Sequence, residues 1–336
     1  MSEPSAYLRR LLANEPLARD EVAALFGRIM DGEVEDAQIA ALLVALAMKG
    51  ETPDEIAGAA TAMRARVRAI PHSLDGVVDT CGTGGDGKGT FNVSTAAAFV
   101  AAAGGVPVAK HGNRAISSRS GSADVLAALG IRIEIEPEEA GRQLEEIGLA
   151  FLFAPVLHPA MKAVAPVRRA LGVRTVFNLV GPLTNPAGAR RQVMGVFARE
   201  RVEPVARVLA ELGAEHALVV HGEDGTDEIT TTARTFVAEV RAGEVSTYTL
   251  DAADLGAPRA TDADLAGGSP EENAAALEAL LAGEESALSE IVAVNAGAAL
   301  YVGGIAPDLA SGYTRAKEIL ASSEAHAVLE RLRAFG

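Results

Sequence analysis

The sequence contains no tryptophan, a single cysteine and few aromatic residues, which make up 4% of its 336 residues. Cys81 cannot form a disulfide within the chain, so we expect a protein of the reducing cytoplasm. No uninterrupted apolar run is long enough to cross a bilayer. The first ten residues also lack the basic segment and apolar block of a secretory signal. We therefore expect neither a membrane protein nor an exported one.

Basic residues are scarce as well, since 30 Lys and Arg stand against 45 Asp and Glu, a formal net charge of −15. Proteins that bind nucleic acid depend on basic side chains that neutralise phosphates, so no nucleic-acid partner is expected. An acidic protein that binds a small polyanion needs local positive charge. Four basic residues in one part of the sequence could supply this positive charge: Lys88, Lys110, Arg114 and Arg119.

The spacing of apolar residues predicts two regions of different architecture. Residues up to about 70 follow helical spacing, with a helix end at Gly50 and a capping box that begins at Thr52. Beyond Asp75, β-rich runs alternate with helices, which is typical of an α/β fold with a mainly parallel sheet wrapped by helices. A hairpin is predicted at 236–250, and helices from Ser269 to the end. The predicted strands before the hairpin are 77–79, 106–109, 131–135, 149–153, 192–197 and 217–221.

A glycine-rich segment, 82–87, follows the first predicted strand. Its glycines can adopt positive φ and turn backbone N–H groups outward, which makes an anion cradle. Asn92, Ser94 and Thr95 come next, at the start of a predicted helix where unpaired N–H groups favour negative charge. Lys110 follows the second predicted strand. Because parallel strands bind ligands beyond their carboxyl ends, we predict a phosphate site at this edge of the sheet.

The segment matches neither of the two common phosphate motifs, the P-loop or the Rossmann fingerprint. Asp86 lies within it and would repel a bare pyrophosphate, a conflict that a metal ion would remove. Asp227 and Glu228, adjacent carboxylates after the strand predicted at 217–221, could face one hard cation. In an acidic protein such a loop is often only solvated, and we expect Glu223 and Asp224 to be so. A plain glycine turn is the alternative for the segment itself.

Ordered blocks of sequence across nearly the whole chain resemble the anthranilate phosphoribosyltransferase family. The resemblance implies transfer of the phosphoribosyl group from 5-phosphoribosyl 1-diphosphate (PRPP) to the amine of anthranilate, in tryptophan biosynthesis. It also implies two Mg²⁺ ions per active site and a homodimer. The implied fold is of the nucleoside phosphorylase/phosphoribosyltransferase type, in which residues 1–73, joined by about 166–190, form a small helical domain beside an α/β domain of residues 74–336. The blocks are 77–124, 158–159, 166–169, 171–178, 181–186 and 227–229.

The resemblance also implies the roles of individual residues. Metal ligands would be Ser94, Asp227 and Glu228. The residues that would bind PRPP are Gly82, Gly85, Asp86, Thr90, Asn92, Val93, Ser94, Thr95, Lys110, His111, Gly112, Asn113, Arg114, Ala115, Ile116, Ser117, Ser118 and Ser122.

Anthranilate would be bound by Gly82, Asn113 and Arg168, whose guanidinium can hold a carboxylate with two hydrogen bonds. No strong general base is visible in the sequence, and His111 is the one candidate proton acceptor. Little base strength is needed, because an uncharged aromatic amine already has its lone pair available.

Three further interpretations compete with a phosphoribosyltransferase. A pyrimidine nucleoside phosphorylase resembles this family in fold, but its phosphate pocket would have serine and glycine after the lysine, where this chain has His111, Gly112 and Asn113. A nucleic-acid-binding paralogue would be basic and lack the anthranilate pocket, whereas this chain has a net charge of −15 and Arg168. A purely structural protein does not explain the polar residues at strand ends.

Residues read as structural are Cys81, His158, His216 and His221, with Arg169 and Arg174 as structural ion-pair partners.

Overall fold

The computed structural model describes residues 3–115 and 119–335. None of the helices in these ranges is both long and apolar enough to span a membrane. The α-helices are α1 (Pro4–Leu12), α2 (Arg19–Met30), α3 (Asp36–Lys49), α4 (Pro53–Arg64), α5 (Val93–Ala103), α6 (Ser122–Ala128), α7 (Pro137–Ile147), α8 (Ala154–Leu157), α9 (Ala165–Leu171), α10 (Phe177–Val180), α11 (Val202–Glu211), α12 (Pro270–Leu281), α13 (Ala287–Val302), α14 (Leu309–Ser322) and α15 (Glu324–Ala334).

The N-terminal helices begin and end where local chemistry predicts. Thr52 Oγ1 accepts a hydrogen bond from the Glu55 backbone N–H, and the Glu55 carboxylate accepts one from the Thr52 N–H. This capping box begins α4, while Gly50, at φ +83°, ends α3. The helical character predicted for this region is confirmed.

Seven strands form one mixed sheet within the described residues, in the order β3-β2-β1-β4-β5-β6-β7. The first five in that order are parallel, and β6 and β7 form an antiparallel hairpin at the edge. The predicted parallel sheet and terminal hairpin are therefore confirmed. The strands are β1 (Val78–Asp79), β2 (Val108–Gly112), β3 (Leu149–Phe153), β4 (Arg191–Gly195), β5 (His216–Gly222), β6 (Arg234–Arg241) and β7 (Glu244–Asp251).

One predicted strand is wrong. Residues 131–135 are extended but pair with no strand of the sheet among the described residues. Ile131, Ile133 and Ile135 are buried while Arg132 and Glu134 are exposed. The alternation that predicted a strand therefore reflects burial of one side against the core, which an extended segment achieves by packing alone.

The sheet carries an apolar core on each face. On β5, Leu218 and Val220 pack with α5 and α13, whereas Ala217 and Val219 pack with α11 and the N-terminal helices. The second core also takes in residues 164–183, where the rings of Phe26 and Phe177 lie 5.4 Å apart. Helices α1 to α4 thereby share an apolar core with α11, which packs on β5 and β6.

Candidate active site

The glycine-rich segment after β1 is an open loop held to two neighbouring loops. Gly84, Gly85 and Gly87 have φ values of +62°, +77° and +74°, which side chains with a Cβ rarely adopt. The Thr83 N–H donates to the Gly195 carbonyl (2.8 Å), and the Gly84 N–H donates to Asp227 Oδ2 (2.7 Å). The loop is therefore positioned against the carboxyl end of β4 and against the acidic loop after β5.

Lys110 on β2 points toward the start of α5. Its side chain is buried, with the residue 3% exposed, and its Nζ donates to Ser94 Oγ (3.2 Å) and Thr80 Oγ1 (3.5 Å). In the described part of the chain no carboxylate forms an ion pair with it, although Lys49, Lys88 and Lys317 have one. A buried ammonium held only by hydroxyl groups is well placed to bind an anion.

Asp227 and Glu228 face this same region. Glu228 Oε1 accepts a hydrogen bond from the Ser94 N–H (3.1 Å), at the N-terminus of α5. Burial raises the pKa of both carboxyls; Asp86 raises that of Asp227 further, and Asp227 raises that of Glu228. The carboxylates of Asp227 and Glu228, and the hydroxyl of Ser94, whose N–H binds Glu228, are hard oxygen donors of the kind that Mg²⁺ prefers. The donor set fits a magnesium ion.

Gly195, at the end of β4, is a site residue that the sequence interpretation missed. A Cβ on Gly195 would lie 1.5 Å from the Asp227 carbonyl oxygen, so only glycine lets the two backbones approach. A glycine inside a predicted strand is itself a signal of such an approach, and it could have identified this position.

Asp224 is not the solvated residue that we expected. Its carboxylate accepts hydrogen bonds from the Thr226 N–H (3.0 Å) and hydroxyl (3.1 Å), from the Thr230 hydroxyl (2.6 Å) and from the Thr232 hydroxyl. Burial opposes the charge, but these hydrogen bonds outweigh it and lower the pKa of Asp224. Asp224 therefore shapes the loop that carries Asp227 and Glu228. Glu223 is exposed, as expected.

A pair of buried histidines lies at the end of β2. The Nε2 atoms of His111 and His158 are 3.1 Å apart, and both Nδ1 atoms lack a partner in the residues described. Burial and the neighbouring His158 lower the pKa of His111 to about 3, and burial lowers that of His158 to about 4. Both rings are neutral at pH 7. His158 is buried and packs against His111, which is consistent with its interpretation as a structural residue, and His216 and His221 bond to Glu239 and to the Val196 carbonyl.

Arg168 lies on α9 with its guanidinium over the ring of Phe177, 5.6 Å from the centroid. Burial lowers its pKa, and no hydrogen bond or ion pair joins it to any other residue that the structure describes. Arg174, which we read as an ion-pair partner, instead donates to the Gly85 carbonyl (3.0 Å) and stacks on Phe197. The segment that carries both arginines therefore touches the glycine-rich loop through Arg174.

A second loop, after β2, completes the set of predicted residues. The Asn113 carbonyl accepts from the Ser122 hydroxyl (3.2 Å). Asp124 pairs with Arg114 (3.1 Å) and accepts from the Ala115 N–H (2.9 Å), which fixes the loop. Of the remaining predicted residues, Gly112 ends β2, Val93 and Thr95 are buried in the first turn of α5, Thr90 bridges to Ala266, and Ile116, Ser117 and Ser118 lie outside the described residues.

Asp79, which is buried, and Asn92, which is half-buried, make hydrogen bonds that hold this region together. Asp79 accepts from the N–H groups of Cys81 (3.0 Å) and His111 (3.1 Å) and from Asn185 Nδ2 (2.7 Å), and burial raises its pKa to about 6. Asn92 Oδ1 accepts from Asn273 Nδ2 (2.8 Å). Cys81 is no nucleophile, because burial raises the pKa of its thiol strongly.

The chain matches two domain models of one glycosyl transferase family. The helical bundle domain of the glycosyl transferase family matches residues 5–67, and its a/b domain matches residues 74–326. The chain is 52% identical over 330 residues to the anthranilate phosphoribosyltransferase of Symbiobacterium thermophilum, covering 98% of this chain and 97% of that protein. It is 54% identical over 325 residues to that of Anaeromyxobacter sp., with 97% and 96% covered.

Solved structures agree with this assignment of family. The crystal structure of anthranilate phosphoribosyltransferase from Thermus thermophilus superposes with a TM-score of 0.93 at 51% identity, covering 98% of each chain. The enzyme from Saccharomyces cerevisiae in complex with PRPP and Mg superposes with a TM-score of 0.89 at 26% identity, covering 99% of this chain and 97% of that one.

Proposed function

This chain belongs to the anthranilate phosphoribosyltransferase family of glycosyl transferases, and we propose that it transfers the phosphoribosyl group of PRPP to the amine of anthranilate in tryptophan biosynthesis. The products are N-(5-phosphoribosyl)anthranilate and pyrophosphate. One observation carries the proposal most directly: Lys110, the N-terminus of α5 and the Asp227–Glu228 loop meet at the glycine-rich loop.

In the proposed reaction, catalysis depends on stabilising the charge of the departing diphosphate. Its departure from the anomeric carbon leaves an oxocarbenium-like ribose, so groups that bind the developing negative charge lower the barrier. Lys110 Nζ fills this role, together with those N–H groups of the glycine-rich loop that make no hydrogen bond to the described residues. When bound, Mg²⁺ supplies electrostatic stabilisation of the phosphate oxygens, and Ser94, Asp227 and Glu228 are the residues that would hold it.

Use of magnesium is a property of the family, since the yeast structure contains it. We propose two ions in this site. Ser94, Asp227 and Glu228 supply three oxygen-bearing side chains, and Mg²⁺ commonly keeps several waters, so these few protein ligands can serve both ions. Calorimetric titration of the PRPP-bound protein with Mg²⁺ would count the ions.

The proposed anthranilate end of the site is formed by Asn113, Gly82 and Arg168. A guanidinium with no protein partner can hold a carboxylate through two charge-assisted hydrogen bonds. His111 is neutral at pH 7, so its ring can accept a hydrogen bond from the substrate amine while remaining a weak base. That weakness is tolerable, because the amine attacks through a lone pair that is already free.

The experiment that tests the function is a fluorescence assay. Anthranilate fluorescence should fall in the presence of the protein, PRPP and Mg²⁺, and should not fall when any one of them is omitted. Thymidine and phosphate serve as the alternative substrates of a pyrimidine nucleoside phosphorylase. Phosphorolysis of thymidine without anthranilate turnover would assign the chain to that activity instead. Growth of a tryptophan auxotroph that lacks this enzyme tests the pathway role.

We propose a homodimer formed through α1 and α3. These helices pack on each other and expose Leu12 (73%) and Met48 (84%), large apolar side chains that a second copy would cover. Light scattering should report twice the mass of 34.5 kDa, and Met48→Glu should shift the protein toward monomer. A monomer at micromolar concentration in the unaltered protein would contradict the proposal.

The domain division and the location in the cell also stay proposals. The shared core of α1–α4 with residues 164–183 supports a small helical domain of residues 1–73 and about 166–190 beside the α/β domain of residues 74–336. The single free thiol supports the cytoplasm as its location. Limited proteolysis and cell fractionation would test the two proposals.

A further inference from the structure

Asn295 is a polar residue in the middle of α13, a helix that is otherwise mostly apolar and buried on nearly all sides. The residue is 2% exposed. Its side-chain amide makes three hydrogen bonds: Oδ1 accepts from the Ile229 N–H (3.0 Å), and Nδ2 donates to the carbonyls of Ile229 (2.9 Å) and Ile291 (2.9 Å). The amide therefore pairs with both backbone groups of Ile229, as a neighbouring strand would.

Ile229 directly follows the two proposed metal ligands. It is fully buried, so its N–H and carbonyl would be left unpaired if Asn295 were apolar. The peptide that joins Glu228 to Ile229 carries the N–H that Asn295 binds, which fixes the orientation of the Glu228 backbone. At its other end the Glu228 carboxylate meets the Ser94 N–H. Glu228 is thus held at its carboxylate by Ser94 and at its backbone by the bond between Ile229 and Asn295.

We propose that Asn295 is a positioning residue for metal binding: by pairing with Ile229 it holds Asp227 and Glu228 in the conformation in which their oxygens face the cation. The inference rests on the proposed function, because it assumes that the two carboxylates bind Mg²⁺. Asn295 itself is not proposed as a ligand, because its amide is bonded to Ile229 and Ile291. Partners of this kind commonly change metal affinity when they are removed.

A purely structural role makes a different prediction. If Asn295 only satisfied two buried backbone groups, its removal would lower the stability of the protein. Cation affinity would then be the same as in another variant that is destabilised equally. Asn295→Leu is nearly isosteric and removes the three hydrogen bonds without adding charge. Val294→Ala is the matched control, because it removes buried volume from the adjacent position of the same helix and leaves the amide in place.

The test measures Mn²⁺ binding by electron paramagnetic resonance, with PRPP present and anthranilate absent, so that no turnover occurs. We expect Asn295→Leu to bind Mn²⁺ about 10- to 100-fold more weakly than the unaltered protein, and Val294→Ala to bind it normally. The KM for PRPP should rise at low Mg²⁺ and recover at saturating Mg²⁺, while the KM for anthranilate stays unchanged. Thermal unfolding of each variant gives the stability change for comparison.

Equal Mn²⁺ affinity in Asn295→Leu and Val294→Ala would overturn the proposal. If Asn295→Leu does not fold, Asn295→Ser, which keeps a small hydroxyl at the site, is compared with Val294→Ala in the same way. The outcome is separable from the proposed function. Weakened Mn²⁺ binding in a protein that does not convert anthranilate would uphold the role of Asn295 and refute the activity.

Discussion

Replacing Arg168 by alanine tests the proposed anthranilate end of the site. The guanidinium is largely buried, stacks on Phe177 and has no hydrogen-bond or ion-pair partner among the described residues. Keeping such a charge unpaired is unfavourable unless a ligand completes it. Arg168→Ala should therefore remove a charge-assisted interaction of about 1.5–3 kcal/mol, which corresponds to a roughly 10- to 150-fold rise in the KM for anthranilate.

The same structural feature predicts a small effect of Arg168→Ala on stability. Because Arg168 loses no hydrogen bond to the residues that the structure describes, the free energy of unfolding should change by less than about 1 kcal/mol. Arg64 is the matched control. It is similarly buried, but it donates to the carbonyls of Leu183 (2.7 Å) and Leu212 (3.2 Å), so Arg64→Ala should lower the melting temperature without a selective loss of anthranilate binding.

Steady-state kinetics with both substrates checks the assignment. Arg168→Ala should leave the KM for PRPP nearly unchanged, while Lys110→Ala should raise the KM for PRPP first, because Lys110 lies beside Ser94 at the proposed phosphate end. Arg168→Lys keeps the charge but loses the bidentate geometry. Its KM for anthranilate should lie between those of the alanine variant and the unaltered protein. An Arg168→Ala protein that is impaired equally toward both substrates would refute the reasoning and make Arg168 a structural residue.

Three more predictions concern the proposed metal loop. Asp227→Ala with Glu228→Ala should reduce turnover severely and raise the Mg²⁺ requirement with the fold intact by circular dichroism; normal activity at low Mg²⁺ would make both carboxylates bystanders. Because the folded, metal-free protein raises the pKa of both carboxyls, it binds protons more tightly than the unfolded chain does. Their contribution to stability should therefore fall as pH rises through the raised pKa values, and Mg²⁺ should restore it. Protons compete with Mg²⁺ for these carboxylates, so Mg²⁺ affinity should fall as pH is lowered. A pH-independent Mg²⁺ affinity would contradict this. So would a pH profile of melting temperature that is the same in the unaltered protein and in the double variant Asp227→Asn with Glu228→Gln. Gly195→Ala should abolish activity, because its Cβ would meet the Asp227 carbonyl, and wild-type turnover in that variant would show that the loop can move aside.

Features that depend on near neighbours in the chain are predictable from the amino-acid sequence. The capping box at Thr52 and the glycine-rich run at 82–87 were both recognisable, since each rests on residues a few positions apart. The ordered blocks also indicated the family, which the comparisons then bore out. Segment 131–135 shows the limit: alternating burial is a local pattern, but whether a segment pairs with a strand depends on what lies beside it.

Contacts between residues far apart in the chain become visible only in the folded structure. The hydrogen bonds of Asn295 to Ile229, the approach of Gly195 to Asp227 and the pairing of His158 with His111 each join residues far apart in sequence. None leaves a periodic signal, because each is a single contact made only when the sheet brings strand ends together. Local propensity sets where helices and loops begin, whereas the hydrogen bonds that aim the site's side chains follow from packing across the whole fold.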